Sequence, residues 1–445
     1  MNALTATSPI DGRYQNKTAA LGDFFSEYAL IKYRILVEVE YFKALVNAGI
    51  HQLADFNVAD FPKLDQMVQQ FTPEQAQIVK NTEKVTNHDV KAVEYYIKDF
   101  FKAQGWDKFS EFVHFGLTSQ DINNTAFPMM IRDAMHKVYL PVLQEVYVKL
   151  QELSQNWASI PMLARTHGQP ASPTTVGKEL AVFIERLHGQ IGVVCRIPNS
   201  GKFGGATGNM NAHYIAFPDK DWHGFAANFM DKHLGLVRQY PTTQIEHYDT
   251  LAARLDAMRR VNVILIDLAR DIWTYISQDY FKQKINENEV GSSAMPHKVN
   301  PIDFENAEGN LGIANALLDH LANKLPISRL QRDLTDSTVL RNIGVPFAHG
   351  LIAFKSLLKG LNKLELNAAA IEADLELNWS VIAEAIQTIL RREQVDGAYE
   401  KLKEFSRKNA KLGKAEFETF IQSLDVSEAL KAEMLAVTPF NYVGK

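Results

Sequence analysis

The sequence of 445 residues predicts a helical bundle, and three observations support that fold class. No glycine or proline lies between Pro241 and Gly291, and apolar residues there repeat every seven positions in two rows offset by four. The stretches 142–160 and 361–395 are also poor in glycine and proline, and strand signals are sparse. A long helix normally buries such an apolar seam against other helices, so we expect a bundle rather than a single surface helix.

Glycine, proline and capping residues predict where the helices begin and end. We expect one helix over 250–281, about 45 Å long, and another over 142–160. The segment Asn300-Pro301-Ile302-Asp303 has the N-cap, first-turn proline and acid of a helix start. The helix that follows contains Gly309 and Gly312. Because glycine disfavours a helix, we expect either a close approach of another helix or a requirement of the functional site there.

Three other segments complete the predicted organisation. The stretch that begins at 361 breaks once, near 378–380. A possible β-hairpin lies around the glycines of 204–208, with its strands at 193–194 and 214–215. The C-terminal residues from 401 onward mix lysine, arginine and apolar residues. They predict a solvated, amphipathic helical domain, with a phosphate-binding basic face as the alternative.

Composition and charge exclude several functional classes. A formal net charge of -5 argues against a dedicated nucleic-acid binder. No apolar run approaches the roughly 20 residues that cross a bilayer. The single cysteine, Cys195, excludes an intramolecular disulfide and a zinc site built from several thiolates. Residues 1–6 lack the basic and apolar regions of a signal peptide, so we expect a cytoplasmic protein.

Cofactor motifs are missing from the sequence. The glycines of 204–208 lack the spacing of a dinucleotide fingerprint, and Gly201-Lys202 is followed by Phe203 rather than by serine or threonine. There is no His-Glu-x-x-His motif. We therefore expect neither a metal nor a cofactor, and any chemistry should be acid–base work by side chains.

Two polar segments contain groups suited to that chemistry. His167, in Thr-His-Gly-Gln, would titrate near neutral pH, although a histidine that only shapes a turn is the alternative. In residues 291–301, Lys298 supplies a positive charge and Asn300 precedes a helix N-terminus. Both features suit a carboxylate or a developing oxyanion. An ordinary connecting loop is the alternative for this segment.

Two further segments are rich in polar side chains. Asn87-His88-Asp89 leads into a predicted helix, which Asp89 could simply cap. Downstream, arginine and serine occur together in a pattern that fits a phosphate, because guanidinium and hydroxyl groups both donate to its oxygens. This set contains Arg329, Arg332, Ser337 and Arg341. A surface network with Asp333 and Asp336 is the alternative.

Together the four segments outline an elimination that breaks a bond β to a carboxylate. It needs a base for the α proton, donors for the resulting dianion and an acid for the leaving group. Residues 291–301, Gly-Ser-Ser-Ala-Met-Pro-His-Lys-Val-Asn-Pro, resemble the signature of the fumarase/aspartase superfamily. Within it the chain is similar to the bacterial type of the adenylosuccinate lyase family. The resemblance extends over nearly the whole chain, with supporting segments at 8–14, 86–94, 118–119, 166–171, 242–246 and 331–342.

The resemblance implies catalytic roles for several residues. His167 would be the general acid that protonates the purine N6 as it leaves. Ser292 would be the base that takes the carbon-bound proton. Lys298 and Asn300 would hold the succinyl carboxylates, and His88 would orient the substrate near its phosphate.

Other residues are implied as substrate contacts. The nucleotide, mainly its phosphate and ribose, would be bound by Arg13, Tyr14, Arg332, Ser337 and Arg341. The rest of the pocket would be formed by Asn87, Asp89, Thr118, Ser119, Gln244, Ser293, Val299, Asn306 and Thr338. The substrates implied are adenylosuccinate, which gives AMP, and the succinyl-carboxamide imidazole ribotide SAICAR, which gives AICAR. Both reactions release fumarate.

The resemblance also implies an all-α fold with three helical domains, at 1–107, 108–360 and 361–445. The long helices of the middle domain would form the core of a homotetramer, and each site would be built from three subunits. We expect no nucleic-acid or membrane partner.

Three alternatives stay open on the sequence. The first is another member of the superfamily: fumarase, aspartase or argininosuccinate lyase. Their substrates would have no phosphate for Arg13, Arg332 and Arg341 to bind. A non-catalytic helical scaffold would have no need of His167 and Ser292. A nucleic-acid-binding helical protein fits the charge balance poorly.

Overall fold

The computed structural model describes residues 2–284, 295, 298–408 and 412–444, except for the side chains of 406–408. Helices contain 68% of the chain, so the predicted all-α class is confirmed. The α-helices are α1 Gln15–Thr18, α2 Gly22–Phe25, α3 Glu27–Asn47, α4 Phe61–Gln69, α5 Pro73–Thr86, α6 Asp89–Ala103, α7 Ser119–Ala134, α8 Leu140–Asn156, α9 Val176–Arg196, α10 Asn211–Ala216, α11 Trp222–Asn228, α12 Asp249–Ser277, α13 Ile302–Lys324, α14 Thr335–Leu340, α15 Gly344–Lys363, α16 Ala368–Leu377, α17 Ala383–Arg392, α18 Ala398–Lys408, α19 Lys414–Gln422 and α20 Glu428–Leu435. The strands are β1 Pro161–Thr166, β2 Gln169–Thr175, β3 Ser200–Gly201, β4 Val237–Arg238, β5 Phe281–Gln283 and β6 Leu364–Leu366.

The chain packs as two compact units. The first comprises residues 1–144, 189–263 and 309–355, and the second comprises 145–188, 264–308 and 356–445. The division into three domains remains a prediction.

The long helix predicted over 250–281 is α12, so the helix is confirmed, but it ends at Ser277 and Phe281 begins β5 instead. In the first unit, Arg259 forms an ion pair with Asp319, and the Asn262 amide donates to Asn315 at 3.0 Å. Residue numbers rise along α12 as they fall along α13, so the two helices are antiparallel. This pairing supports the predicted bundle.

Helix α7 is unusual because its buried residues include many polar ones. Asp121 and Asn124 are fully buried, and Asn123 is nearly so. Buried polar groups destabilise a fold unless they are hydrogen bonded, so each of these side chains needs partners inside the first unit.

Strands β1 and β2 form an antiparallel hairpin whose turn consists of His167 and Gly168. Both turn residues have positive φ, 53° and 74°, which is typical of a two-residue type I′ turn. We call residues 161–175 the His167 hairpin. The other sheets of the described residues are also two-stranded: β3–β4 is parallel and β5–β6 antiparallel.

The hairpin predicted around 204–208 is wrong. Residues 193–194 lie in α9 and residues 214–215 in α10. The glycines form a loop instead, because the backbone of another segment comes very close. A Cβ on Gly208 would lie 2.1 Å from the Thr242 carbonyl oxygen.

The other element predictions have mixed outcomes. The break near 378–380 is confirmed, since α16 ends at Leu377 and α17 begins at Ala383, but β6 was not predicted. The helix predicted over 142–160 is α8, and the C-terminal segment is helical as predicted. No described residue comes within 4 Å of a Cβ built on Gly309 or Gly312, so the described chain makes no close approach there. None of the described helices has the length and apolar character needed to cross a membrane.

Candidate active site

The predicted site residues fall into two sets, one in each compact unit. The first-unit group contains Arg13, Tyr14, Asn87, His88, Asp89, Thr118, Ser119, Gln244, Arg332, Ser337, Thr338 and Arg341. The second unit contains His167, Lys298, Val299, Asn300 and Asn306. Ser292 and Ser293 lie outside the described residues.

His88 caps the N-terminus of α6 in the first unit. The preceding residue, Asn87, ends α5 in the left-handed conformation with φ 51°. The His88 Nδ1 atom accepts a hydrogen bond from the Lys91 backbone N–H at 3.1 Å. A neutral His88 ring bonded in this way has its proton on Nε2, which lies 3.5 Å from the Ser119 Oγ atom. The structure therefore brings the predicted residues His88 and Ser119 together.

Asp89 accepts the Val90 backbone N–H of the first turn of α6 with its Oδ1 atom at 2.9 Å, and it also joins two arginines. Its Oδ2 atom accepts from Arg34 at 2.7 Å and from Arg341 at 3.0 Å. Arg341 also donates to Glu27 at 2.9 Å and remains 40% exposed. Burial raises the pKa of Asp89, but the Arg34 and Arg341 charges outweigh it and hold the pKa below its ordinary value. Arg341 therefore keeps a fixed orientation while it stays accessible to an anion.

Arg332 and Ser337 lie close in sequence around α14. The Arg332 guanidinium reaches Asp336 at 3.4 Å, and Arg329 reaches Asp333 at 2.9 Å. The Arg–Asp contacts of the alternative interpretation are therefore present. Ser337 is half-buried on α14, and Thr338 is exposed on the same helix.

A cavity of about 480 Å³ lies beside Arg341 in the first unit. Asp11, Gln15 and Ser26 line it together with Arg341. Arg13 and Tyr14 belong to the same N-terminal segment, with the Arg13 guanidinium 5.9 Å from the Tyr14 ring centre. The structure thus brings the segment that contains these two predicted residues close to Arg341.

Four residues at the start of α7 connect the parts of the first-unit group, and we call Ser119, Asp121, Asn123 and Asn124 the α7 hub. Ser119 faces His88, as described above. The Asn123 amide oxygen accepts from the Arg34 Nε atom at 2.9 Å, and Arg34 in turn holds Asp89.

Asn124 extends the α7 hub toward Arg332. Its amide donates to the Tyr248 hydroxyl at 2.9 Å, and that hydroxyl donates to Asp336 at 3.1 Å. Asp336 is the partner of Arg332. The hub therefore contacts His88 directly. It reaches Asp89 through Arg34, and it reaches Arg332 through Tyr248 and Asp336.

His167 lies at the exposed tip of its hairpin in the second unit. The arms of the hairpin are anchored: Arg165 forms an ion pair with Asp374 at 2.7 Å, and Ser172 donates to Glu384. Within the described part of the chain, the His167 side chain makes no hydrogen bond. The type I′ turn therefore orients the imidazole through the backbone alone.

Lys298, Val299 and Asn300 precede α13 in the second unit. The helix begins at Ile302, one residue later than an N-cap at Asn300 predicts, and the Phe304 N–H donates to the Pro301 carbonyl at 3.1 Å. Lys298 and Val299 are exposed and Asn300 is half-buried. In the first turns of α13, the Asn306 amide oxygen accepts from Ser356 at 2.9 Å. An exposed cation beside a helix N-terminus is suited to bind a carboxylate.

Several structural residues of the site were missed by the sequence analysis. Arg34 could have been noticed as a charge among the apolar residues of α3, and Asp121 as the acid of a Thr-x-x-Asp capping pattern. Nothing in the local sequence marks Lys202 or Asn123. No cluster of three or more His, Cys, Asp or Glu side chains suited to a metal ion occurs among the described residues.

Comparisons with known proteins show which family the chain resembles. The Lyase family profile matches residues 12–314, and the adenylosuccinate lyase C-terminal profile matches residues 328–443. An adenylosuccinate lyase of Dictyostelium discoideum is 56% identical across 100% of this chain and 97% of its own length. One of Legionella pneumophila (strain Corby) is 49% identical with the same coverage.

A solved structure shares the fold at low sequence identity. The fumarate lyase from Mesorhizobium sp. BNC1 matches with a TM-score of 0.73 and 18% identity. The match covers 96% of this chain and 95% of that one. It supports the all-α architecture.

Proposed function

The chain belongs to the adenylosuccinate lyase family, and from that membership we propose that it eliminates fumarate from adenylosuccinate and from SAICAR. The products besides fumarate are AMP and AICAR, so the enzyme serves purine nucleotide biosynthesis. The observation that carries the proposal is the 56% identity to a relative of this name across the whole chain.

The proposed reaction is a β-elimination by general acid–base catalysis. Ser292 takes the proton from the succinyl carbon next to a carboxylate, and the electron pair of that C–H bond forms the double bond of fumarate. The bond to the purine N6 breaks, and His167 protonates that nitrogen. The exposed position of His167 on a tight turn supports this role, because an accessible imidazole can donate a proton to a bound substrate.

The succinyl and phosphate ends of the substrate need different partners. Lys298 and Asn300 bind the succinyl carboxylates and stabilise the negative charge that develops there. The first-unit group binds the nucleotide, and the accessible, oriented guanidinium of Arg341 supports its assignment to the phosphate. A fumarate-releasing enzyme without a phosphorylated substrate would leave the exposed side of this guanidinium without an anion to bind.

The functional unit in this proposal is a homotetramer in the cytoplasm, with each site assembled from three subunits. The open surface over Gly309 and Gly312 of α13 supports it, because small residues allow another helix to approach closely. In this proposal the chain has three domains, with boundaries at 107 and 360, and each domain contributes to those sites.

A spectroscopic assay tests the function directly. Purified protein should change the ultraviolet absorbance of adenylosuccinate and leave argininosuccinate and malate unchanged. Turnover of argininosuccinate or malate instead would overturn the proposal.

A variant tests the proposed base. Ser292→Ala should abolish fumarate release by removing one half of the acid–base pair, a loss of about 10²–10⁴-fold, while nucleotide binding changes little. Near-normal turnover would remove Ser292 from this role.

A further inference from the structure

We propose that the buried ion pair of Asp121 and Lys202 is a positioning element of the active site: it holds the start of α7 and the loop of residues 204–208 in register, and through them Ser119 and Gln244 of the first-unit group. The inference rests on the proposed function and adds two residues to it. Neither residue is proposed to touch the substrate.

The pair is enclosed within the first unit. Both side chains are 0% exposed, and the Lys202 Nζ atom lies 2.8 Å from the Asp121 Oδ1 atom. The backbone N–H groups of Gly204 and Gly205 also donate to Oδ1, at 2.8 and 3.0 Å. The Thr118 N–H donates to the other carboxylate oxygen at 2.9 Å. One carboxylate therefore holds the start of α7 together with the loop of residues 204–208, which we call the glycine loop.

Both segments lead directly to predicted substrate contacts. Thr118 is itself one of them, and the adjacent Ser119 lies 3.5 Å from His88 Nε2. On the other side of the pair, the Ala206 carbonyl accepts from the Gln244 side chain at 3.0 Å. A displaced carboxylate would move the residues that orient Ser119 and Gln244 at the same time.

The contacts of the pair indicate a positioning role in addition to its part in the stability of the buried network. A buried ion pair is weak support for stability, because removing two charges from water offsets much of their attraction. The Lys202 ammonium also donates to the Gly205 carbonyl, so each member of the pair binds the glycine loop. Burial raises the pKa of Asp121, but Lys202 and the N–H donors outweigh it and keep the pKa low.

The test compares kcat and KM for adenylosuccinate in Asp121→Asn, Lys202→Met and wild type. Asp121→Asn keeps the shape of the side chain but replaces one accepting oxygen by an NH2 group, which cannot accept a hydrogen bond from the backbone N–H groups that face it. We expect kcat/KM to fall about 100-fold, mostly through a higher KM, because displaced binding groups act on substrate and transition state alike. Lys202→Met leaves the carboxylate bonded to the backbone, and we expect a fall of roughly tenfold.

A core variant controls for lost stability. Leu64 is fully buried in α4 of the same unit, and Leu64→Ala lowers stability without touching the site. When its decrease in Tm equals that of the Asp121 and Lys202 variants, Leu64→Ala should keep kcat/KM within about threefold of wild type. An Asp121→Asn enzyme within that same range would overturn the inference. If Asp121→Asn does not fold, the same criterion applies to Lys202→Met.

The outcomes separate the inference from the proposed function. A wild-type enzyme that releases no fumarate from adenylosuccinate would overturn both. An active wild type with unchanged Asp121 and Lys202 variants would overturn the positioning role alone. Equal losses in Leu64→Ala and the pair variants, at equal Tm, would also overturn the positioning role.

Discussion

The α7 hub and the His167 hairpin hold predicted site residues in opposite ways. In the hub, three of the four side chains are buried, and each bonds a different neighbouring segment. On the hairpin, the arms are anchored while His167 lies in solvent on a two-residue turn. Side chains of a buried network serve stability and binding together, whereas a residue on an exposed turn can change without affecting the fold. The two regions should therefore respond differently to substitution.

The largest expected effect on activity comes from the hairpin. His167→Ala should lower kcat by about 10²–10⁴-fold, because the proposed acid is lost. The free energy of unfolding should stay within about 0.5 kcal/mol of wild type, since the side chain is exposed. Fumarate release and urea denaturation measure the two quantities. An equivalent substitution of the exposed His51 is the control, and full activity of His167→Ala would contradict the assignment.

A substitution beside the hub should affect stability and activity together. Asp89→Asn leaves the Arg34 cation, which is 2% exposed, without its carboxylate partner. Removing one member of a buried pair typically costs about 3–5 kcal/mol of stability. We also expect KM to rise roughly tenfold, because Arg341 loses the group that orients it.

The control for Asp89→Asn is an exposed acid. Asp55 pairs with Lys108 at the surface, so Asp55→Asn should change stability by less than about 1 kcal/mol. If Asp89→Asn lowered activity with no loss of stability, the distinction between the two regions would fail.

The hairpin turn can be tested apart from the imidazole. Gly168 has φ 74° and no neighbour of its Cβ position within 4 Å among the described residues. Gly168→Ala should therefore lower the free energy of unfolding by about 1–2 kcal/mol, the cost of placing a residue with a Cβ in the left-handed conformation. We expect kcat to fall several-fold, because the relaxed turn reorients His167.

Gly105 is a close match for that experiment. It has the same φ of 74° and equally open surroundings, but it lies between α6 and residue 107, away from the hairpin. Gly105→Ala should have the same cost in stability and leave kcat unchanged. Equal kcat values for the two variants would show that the turn does not orient the acid.

The contrast between the two regions also explains what the sequence could predict. Helix α12 was predicted because its heptad spacing is a local pattern, and the break near residue 378 because an Asn-Trp-Ser segment interrupts a helical stretch. The His167 hairpin was missed since Pro161, Pro170 and Pro173 give weak strand signals. The glycines of 204–208 were wrongly predicted to form a hairpin. They are needed because the backbone near Thr242 packs closely against them, and no local sequence pattern shows that contact.

The site shows the same limit. His167, Lys298 and Arg341 are polar residues in recognisable motifs, so their assignment depended on nearby sequence. The roles of Arg34, Asp121 and Lys202 depend on burial and on partners far along the chain. Burial of a charge becomes visible only when the tertiary structure brings its partner to it.

The smallest expected effect on activity is that of Glu246→Gln. Glu246 is buried beside the α7 hub, and its backbone N–H donates to Asn124 at 3.0 Å, a contact that the substitution keeps. Its side chain accepts from Gln239 at 3.3 Å, and within the described ranges it has no hydrogen bond to a predicted substrate contact. We expect kcat and KM within about twofold of wild type at pH 7.

The stability of the Glu246 variant should nevertheless depend on pH. Burial, and then the charge of Asp336, raise the pKa of Glu246 well above its ordinary value. A carboxyl with a raised folded-state pKa contributes stability below its unfolded pKa and loses it as pH rises through the folded value. Wild type should therefore lose stability relative to Glu246→Gln as the pH rises above the ordinary range of a glutamate carboxyl, measured by urea midpoints. Parallel pH profiles for the two proteins would mean that Glu246 is ionised in the fold, and that the buried polar network around the α7 hub tolerates another negative charge.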